Sequence, residues 1–358
     1  MGYRYIGAKT RIIDWVLSTV HETCETGGHV VDLMTGTASV ASALRAAGYR
    51  VTANDVMTYS YHHARTALLL SEPPSFSGLA DTLASRITTT LFEGSAYEGV
   101  LQAITNLDPV EGYFWRELSS GGKPANGERP RNYFTTENAK RIDAARAWIR
   151  DAGRQGMIDP LEHSLLLHDL IMAANDVANI AGTYGHYLSK TVERSRVPLA
   201  LSPTMWVPMP NDVGGHEVIQ GYAEAVAATL VADVCYIDPP YMKRQYAANY
   251  HVLETLARED EPEAVGVSGL RPWRDQYSNF CTKTKIHDSF RSIVSGMDCP
   301  RLIVSYSEDG LIPIEGLVRL FSEFGDVEVR ELTYKRFKSN DSKLSPELTE
   351  YLIVLDRR

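Results

Sequence analysis

The 358-residue chain is expected to fold as a doubly wound, mostly parallel α/β sheet carrying a largely helical insertion. Three observations point there. Short runs of buried character alternate with stretches of helical periodicity. The first two such runs stand about 20 residues apart, with a glycine turn and a short small-residue stretch between them. Residues 72–212 then change character, opening and closing on proline-rich breaks.

Residues 10–24 predict a helix, since Ile12, Ile13, Val16, Leu17 and Val20 recur at helical spacing and Gly27-Gly28 stops the run. His29 to Met34 reads as a short buried strand, Thr35-Gly36-Thr37 as a turn, and Val40 to Ala47 as a helix ending at Gly48. Arg50 to Asp55 is a second strand, which completes a βαβ unit with an acid at its end. Residues 56–70 predict a helix, broken by Glu72-Pro73-Pro74-Ser75. Within the insertion, helices are expected over 136–152 and 160–180, around a Gly/Pro/Asn loop at 119–131. Strand signals resume at 217–220, 234–238, 301–306, 327–334 and 350–355; only a loop separates the last two, so they should pair antiparallel. The expected domains are therefore 1–71 with 213–358, and the insertion 72–212.

Composition narrows the class. With 44% hydrophobic and 23% charged residues the chain is too apolar for a disordered protein. No apolar run approaches the ~18 residues of a membrane helix, and the N-terminus lacks a charged-then-apolar layout, so a cytoplasmic protein with no membrane partner is expected. Cys24, Cys235, Cys281 and Cys299 are scattered without a CxxC pair, which predicts buried reduced thiols and no metal site. The net charge of −9 argues against a nucleic-acid partner until it is partitioned. Residues 212–233 carry four acids and no Lys or Arg, 254–263 five acids and one Arg, and 308–331 seven acids and two Arg. These segments hold more than the whole net negative charge, so the remainder is positive, with the excess in 116–154, 271–301 and 334–343. A bipolar molecule whose DNA affinity falls steeply with salt is the corresponding expectation.

The sharpest motif is Asp238-Pro239-Pro240-Tyr241, directly after the buried run Val234 to Ile237. The prolines end the strand at the carboxyl edge of the sheet, where open α/β folds bind ligands, and leave carbonyls without neighbouring amides. An acid, a rigid carbonyl and an aromatic ring are presented together. An exocyclic amine on a base is a poor nucleophile because its lone pair is conjugated into the ring. A carboxylate and a carbonyl accepting both N–H bonds draw that nitrogen towards tetrahedral geometry, while the ring stacks an extruded base. Asp32 to Ala38 with Asn54-Asp55 forms a second, weaker motif. Its tight glycine turn admits a ligand to the backbone, and Asp55 can bind ribose hydroxyls. Tyr5-Ile6-Gly7-Ala8-Lys9 is the third.

Together these motifs resemble the α-group (Dam-like) DNA adenine-N6 methyltransferases, nearest to modification methylases of the FokI type. Further blocks at 112–114, 127–129, 133–135, 244–246, 249–251, 304–307 and 338–340 carry the resemblance along nearly the whole chain. It implies a Rossmann-like, S-adenosylmethionine (AdoMet)-dependent methyltransferase sheet with its last strand antiparallel. It also implies site-specific methylation of adenine N6 in duplex DNA by base flipping, within a restriction-modification or related defence system. Asp238, Pro239, Pro240 and Tyr241 would hold the flipped adenine. Tyr5, Gly7, Lys9, Asp32, Gly36 and Asp55 would line the AdoMet pocket, and the insertion would carry target recognition. Met34 stands where an aromatic residue is common, Ala38 where glycine is frequent, and Tyr222 where an acid often faces the cofactor adenine.

Arg129, Arg131 and Lys140 in the insertion, and Lys335, Arg336 and Lys338 near the C-terminus, read either as solvated faces or as DNA phosphate contacts. Arg244 and Tyr246 follow the catalytic motif and could clamp the backbone of the flipped nucleotide. A monomer is expected, with double-stranded DNA and a cognate restriction or defence enzyme as partners. The competing readings are an RNA or protein-amide methyltransferase, since related strand-end motifs serve such substrates, and a catalytically inactive DNA-binding relative, suggested by Tyr222.

Overall fold

The computed structural model describes residue 9 and residues 11–79, 95–335 and 347–358. They form two compact units: Gly7–Ala64 with Met209–Tyr246 and Gln276–Arg358, and Arg65–Pro208 with Ala247–Asp275.

The first unit is built on a seven-stranded sheet. Its strands are β1 (His29–Asp32), β2 (Arg50–Asp55), β3 (Glu217–Gln220), β4 (Val234–Ile237), β5 (Arg301–Ser307), β6 (Gly325–Lys335) and β7 (Glu347–Arg357), in the order β3-β2-β1-β4-β5-β7-β6. All pairings among the first five are parallel, and β7 runs antiparallel to both β5 and β6. Every predicted strand is present, and the last pair is antiparallel as its short connection requires. The sequence does not reveal that β7 inserts between β5 and β6. The chain leaves β1 in one direction to β2 and β3, and later in the other to β4 and β5. The carboxyl ends of β1 and β4, paired through Asp32 and Tyr236, therefore flank a topological switch point.

Alternation decides which residues make the core. Val31, Leu33, Cys235, Ile237, Leu302, Val304, Ile353 and Leu355 fall on one face of the sheet and are fully buried. Phe290 from helix Ile286–Gly296 packs edge-on against Phe280 and Phe321, with centroids 5.0 and 5.3 Å apart. All four cysteines are buried and unpaired. Among the described residues no helix is long and apolar enough to cross a membrane, and no cluster of His, Cys, Asp and Glu could hold a metal.

The first crossover contains a strained residue. Gly36 has φ +54°, and Ala38, which opens helix Ser39–Ala46, has φ +61° and ψ +18°. A Cβ in this left-handed region costs about 1–2 kcal/mol, partly offset by the extra chain entropy that a glycine would lose on folding. Ala38→Gly is expected to raise stability by up to about 1 kcal/mol, seen as a higher urea midpoint.

The second unit is helical around helices Thr136–Arg154 and Pro160–Val177. Thr135 caps the first, and Asp159 and Glu162 form a capping box on the second. The second helix stops at Val177, short of the predicted 180, because Ala178 turns extended (ψ 134°) and Asn179 donates its N–H to the Tyr133 carbonyl at 2.8 Å.

The expected boundary at 213 places 247–275 with the sheet, whereas this segment belongs to the helical unit. Buried arginines are the reason. Arg146 donates to the Asp260 carbonyl at 2.7 Å, and Arg131 donates to the Gly266 carbonyl at 3.0 Å. Arg271 grips Asp260 through both Nη atoms at 3.0 and 2.7 Å. Arg146 and Arg116 of the basic block 116–154 also pair with Glu261 of the acidic block 254–263, at 3.5 and 3.9 Å, so the two blocks neutralise each other in part inside one unit. The bipolar reading of the charge is corrected to that extent.

Candidate active site

Two prolines end β4, and Asp238 stands one residue past its last paired position, Ile237 opposite Val304. The Asp238 side chain is 18% exposed, so a ligand can reach it, while Lys9 beside it is 6% exposed. Lys9 Nζ lies 3.1 Å from Asp238 Oδ1 and 3.4 Å from Glu350 Oε2. It also sits over the Tyr241 ring, 5.3 Å from its centroid. Burial pushes the Asp238 carboxyl up to about 6, opposed by the Lys9 ammonium. Lys9 itself is held well above the ordinary lysine range by Asp238 and Glu350, against its burial.

Tyr241 is braced from β5. Its ring meets Tyr306 edge-on at 5.9 Å, and its carbonyl accepts the Leu311 N–H at 3.0 Å. The Tyr306 hydroxyl in turn accepts the Ile312 N–H at 3.1 Å, which fixes the loop after β5. No donor among the described residues reaches the Pro239 carbonyl. An acceptor oxygen, a carboxylate held by an ammonium and a braced aromatic ring are thus assembled at one strand end.

The neighbouring strand ends offer a second set of polar groups. Asp32 is buried with its pKa raised to about 7 by burial; Thr35 donates to its Oδ2 at 2.9 Å, and its Oδ1 meets no hydrogen-bond donor among the described residues. Asn54 donates to the carbonyls of Leu33 and Gly221 at 2.9 and 3.1 Å, and its Oδ1 meets no donor among the described residues. Buried acceptors left open are costly, and a ligand carrying hydroxyl and ammonium donors would satisfy them. Asp55 braces the turn: Oδ2 accepts the Gly36 N–H at 2.8 Å and Oδ1 the Met57 N–H at 2.9 Å. Tyr222, 39% exposed, follows β3 beside the end of β2.

Lys9, expected to line the cofactor pocket, lies against Asp238 at 3.1 Å. Tyr5, Gly7, Arg336 and Lys338 lie outside the described residues, as does the side chain of Lys335. Arg131 cannot touch phosphate: it is fully buried, with Nη1 donating to Glu117 Oε2 at 2.8 Å. Lys140 pairs with Glu111 at 2.7 Å on the surface. Arg129 is exposed, Arg244 is exposed and Tyr246 half-buried.

The family-like blocks 112–114 and 133–135 are packing elements. Asp143 accepts the N–H groups of Gly112, Phe114 and Trp115 at 3.1, 2.9 and 2.8 Å. A Cβ at residue 112 would come within 2.7 Å of that carboxyl group, so glycine is required there.

Glu350 and the pair Lys283 and Lys285 were missed by sequence reasoning. Gln245 and Ser278 exchange two hydrogen bonds, both 2.9 Å, and Cys281 Sγ donates to the Arg244 carbonyl at 3.3 Å. These ties bring the segment after the catalytic motif alongside residues 278–285. Lys243, Arg244, Lys283 and Lys285 are all exposed, and none has an acidic partner among the described residues. The only sequence signal for the two lysines was the diffuse basic excess of 271–301.

Residues 5–307 match the family model for the D12 class N6 adenine-specific DNA methyltransferase. The chain is 30% identical over 360 residues to the type II methyltransferase M.FokI of Planomicrobium okeanokoites, covering 99% of this chain and 52% of that one. The modification methylase StsI of Streptococcus sanguinis is 29% identical over the same shares, 99% and 52%. The type II methyltransferase M.NlaIII of Neisseria lactamica is 29% identical over 367 residues, covering 99% of each chain. The chain therefore spans about half the length of the first two relatives and nearly all of the third.

Proposed function

Because the chain belongs to the D12 class N6 adenine-specific DNA methyltransferase family, we propose that it methylates adenine N6 at a specific sequence in duplex DNA. The methyl donor is AdoMet, and the biological setting is the modification arm of a restriction-modification system with a cognate nuclease. The observation that carries this reading is Asp238, held by Lys9 beside the braced Tyr241 ring and followed by the Pro239 carbonyl, which no donor among the described residues reaches.

Turned out of the duplex, adenine stacks on Tyr241 and directs its amino group at Asp238 and the Pro239 carbonyl. Both N–H bonds are then occupied by acceptors, and the nitrogen lone pair is drawn out of conjugation. Lys9 favours the ionised form of Asp238, the form that accepts. Asp32, Asn54, Asp55 and the Gly36 turn would hold AdoMet; its bound sulfonium supplies an electrophilic methyl group and a neutral thioether leaving group. The acceptors on Asp32 and Asn54 that meet no donor among the described residues fit the ammonium and hydroxyl donors of that molecule.

Incubation of the protein with tritiated AdoMet and duplex DNA, followed by digestion to nucleosides, is expected to label N6-methyladenine. Label only in N4-methylcytosine, or only in RNA, would overturn the reading. Long-read sequencing of methylated bases in an expressing host reports the recognition sequence.

The exposed basic group beside the catalytic loop supplies phosphate contacts. Replacing Lys243, Arg244, Lys283 and Lys285 by glutamine is expected to weaken binding to all DNA sequences alike. It should also flatten the plot of log affinity against log salt by about 0.9 for each phosphate no longer neutralised. An unchanged slope would show that these side chains touch no phosphate.

A further inference from the structure

The ion pair at the catalytic acid has a third member. Lys9 Nζ is shared between Asp238 Oδ1 at 3.1 Å and Glu350 Oε2 at 3.4 Å, and the Tyr334 hydroxyl donates to Glu350 Oε1 at 3.3 Å. Glu350 is 2% exposed. It lies on β7 opposite Ser307 of β5, and so reaches the end of β4 from the antiparallel side of the sheet. This position is beyond residues 5–307, the stretch that matches the family model.

Two carboxylates around one ammonium is a costly choice for a buried cluster, because one negative charge is left over. A lysine needed only to neutralise Asp238 would pack against an apolar residue at position 350. We infer that Glu350 is a positioning residue for methyl transfer, which holds the Lys9 ammonium between the two carboxylates and thereby tunes the charge of Asp238. The inference rests on the reading of Asp238 as the acid that receives the adenine amino group.

Among the described residues the groups facing this cluster are few. Lys9 lowers the Asp238 pKa and Glu350 raises it. Glu350 is itself raised by burial, lowered by Lys9 and Tyr334, and raised by Asp309 in the loop after β5. Asp32 on β1, Tyr236 on β4 and Tyr241 complete the surroundings. Glu350→Gln removes the charge that competes for Lys9 and keeps the side chain's shape. Asp238 then has the ammonium to itself and ionises at lower pH.

The test is the pH dependence of methyl transfer, measured with tritiated AdoMet and duplex DNA for the wild type, Glu350→Gln and Glu350→Asp. The acid limb is expected to move down by about half a pH unit or more in Glu350→Gln and to return most of the way in Glu350→Asp. A lower rate with an unmoved acid limb would reduce Glu350 to a structural role and overturn the inference. The Asp238 carboxyl is also titrated directly by infrared difference spectroscopy of the wild type and Glu350→Gln, with Asp238→Asn assigning the band. That titration needs no turnover and decides the inference even if a variant is inactive. A wild type that methylates no adenine would refute the proposed function, while an unmoved carboxyl titration would refute the role of Glu350.

Discussion

Asp238→Asn is expected to lower adenine methylation by about a thousandfold or more while leaving AdoMet binding within a few-fold of the wild type. The amide presents one acceptor oxygen and one NH2 group, and loses the charge that draws on the adenine amino group. The binding groups at Asp32, Asn54 and Asp55 are untouched. The fold should tolerate the change. The Asp238 carboxyl stands at about 6 in the folded protein against 3.8 for the free side chain. The folded state therefore binds its proton more tightly than the unfolded state. Stability from this group is greatest below about pH 4 and is lost as the pH rises through about 6. At pH 8 the asparagine escapes that penalty, and Lys9 still has Glu350. Thermal unfolding at pH 8 should show no loss of stability, and calorimetry should show AdoMet binding. A fall in stability that accounts for the lost activity would sink the assignment. The wild type should show the complementary behaviour: activity declines below about pH 6 as Asp238 takes up its proton.

The second large effect is on stability. Arg131→Met is expected to cost about 3 kcal/mol, because it takes from the buried Glu117 carboxylate the buried partner that holds Oε2 at 2.8 Å, leaving it only the half-exposed Arg116 and the Ala125 N–H, both on Oε1 at 3.0 Å. It also removes the donors that bind the carbonyls of Glu117, Ala264 and Gly266 at 3.0, 3.4 and 3.0 Å. Glu117→Leu added to Arg131→Met should recover a large part of the loss, since replacing a buried pair by apolar groups is often neutral or better. Urea unfolding with limited proteolysis of the helical unit measures both. The salt dependence of DNA binding separates this role from the one expected from sequence. Removing a side chain that touches phosphate would take about 1 off the slope, whereas the double variant should bind DNA with an unchanged slope.

How far the sequence carries can be judged at particular residues. The βαβ unit from His29 to Asp55 is local, and its alternation of buried strand, glycine turn and small-residue helix leaves few other folds. Asp238 to Tyr241 is legible for the same reason, since two prolines after four buried residues must end a strand. Ala38 illustrates a finer point. Its place in the motif suggests a glycine, and the positive φ found there explains why glycine suits it. The basic residues were the hardest to read. Arg129, Arg131 and Lys140 are nearly indistinguishable as letters. The structure leaves the first exposed, buries the second against Glu117 and pairs the third with Glu111.

The strands, the strand-end motif and the chemistry that an acid, a carbonyl and an aromatic ring can perform are all legible along the chain. These depend on residues adjacent in the chain, whose backbone preferences and side-chain alternation act at short range. That β7 runs between β5 and β6, a pairing that carries Glu350 to Lys9 across 341 residues, emerges in the folded molecule alone. Only the tertiary structure, through its buried arginines, set 247–275 with the helical unit. Such arrangements are made by long-range pairing and by the need of each buried charge for a partner. A charge's partner is chosen by space and not by position in the chain.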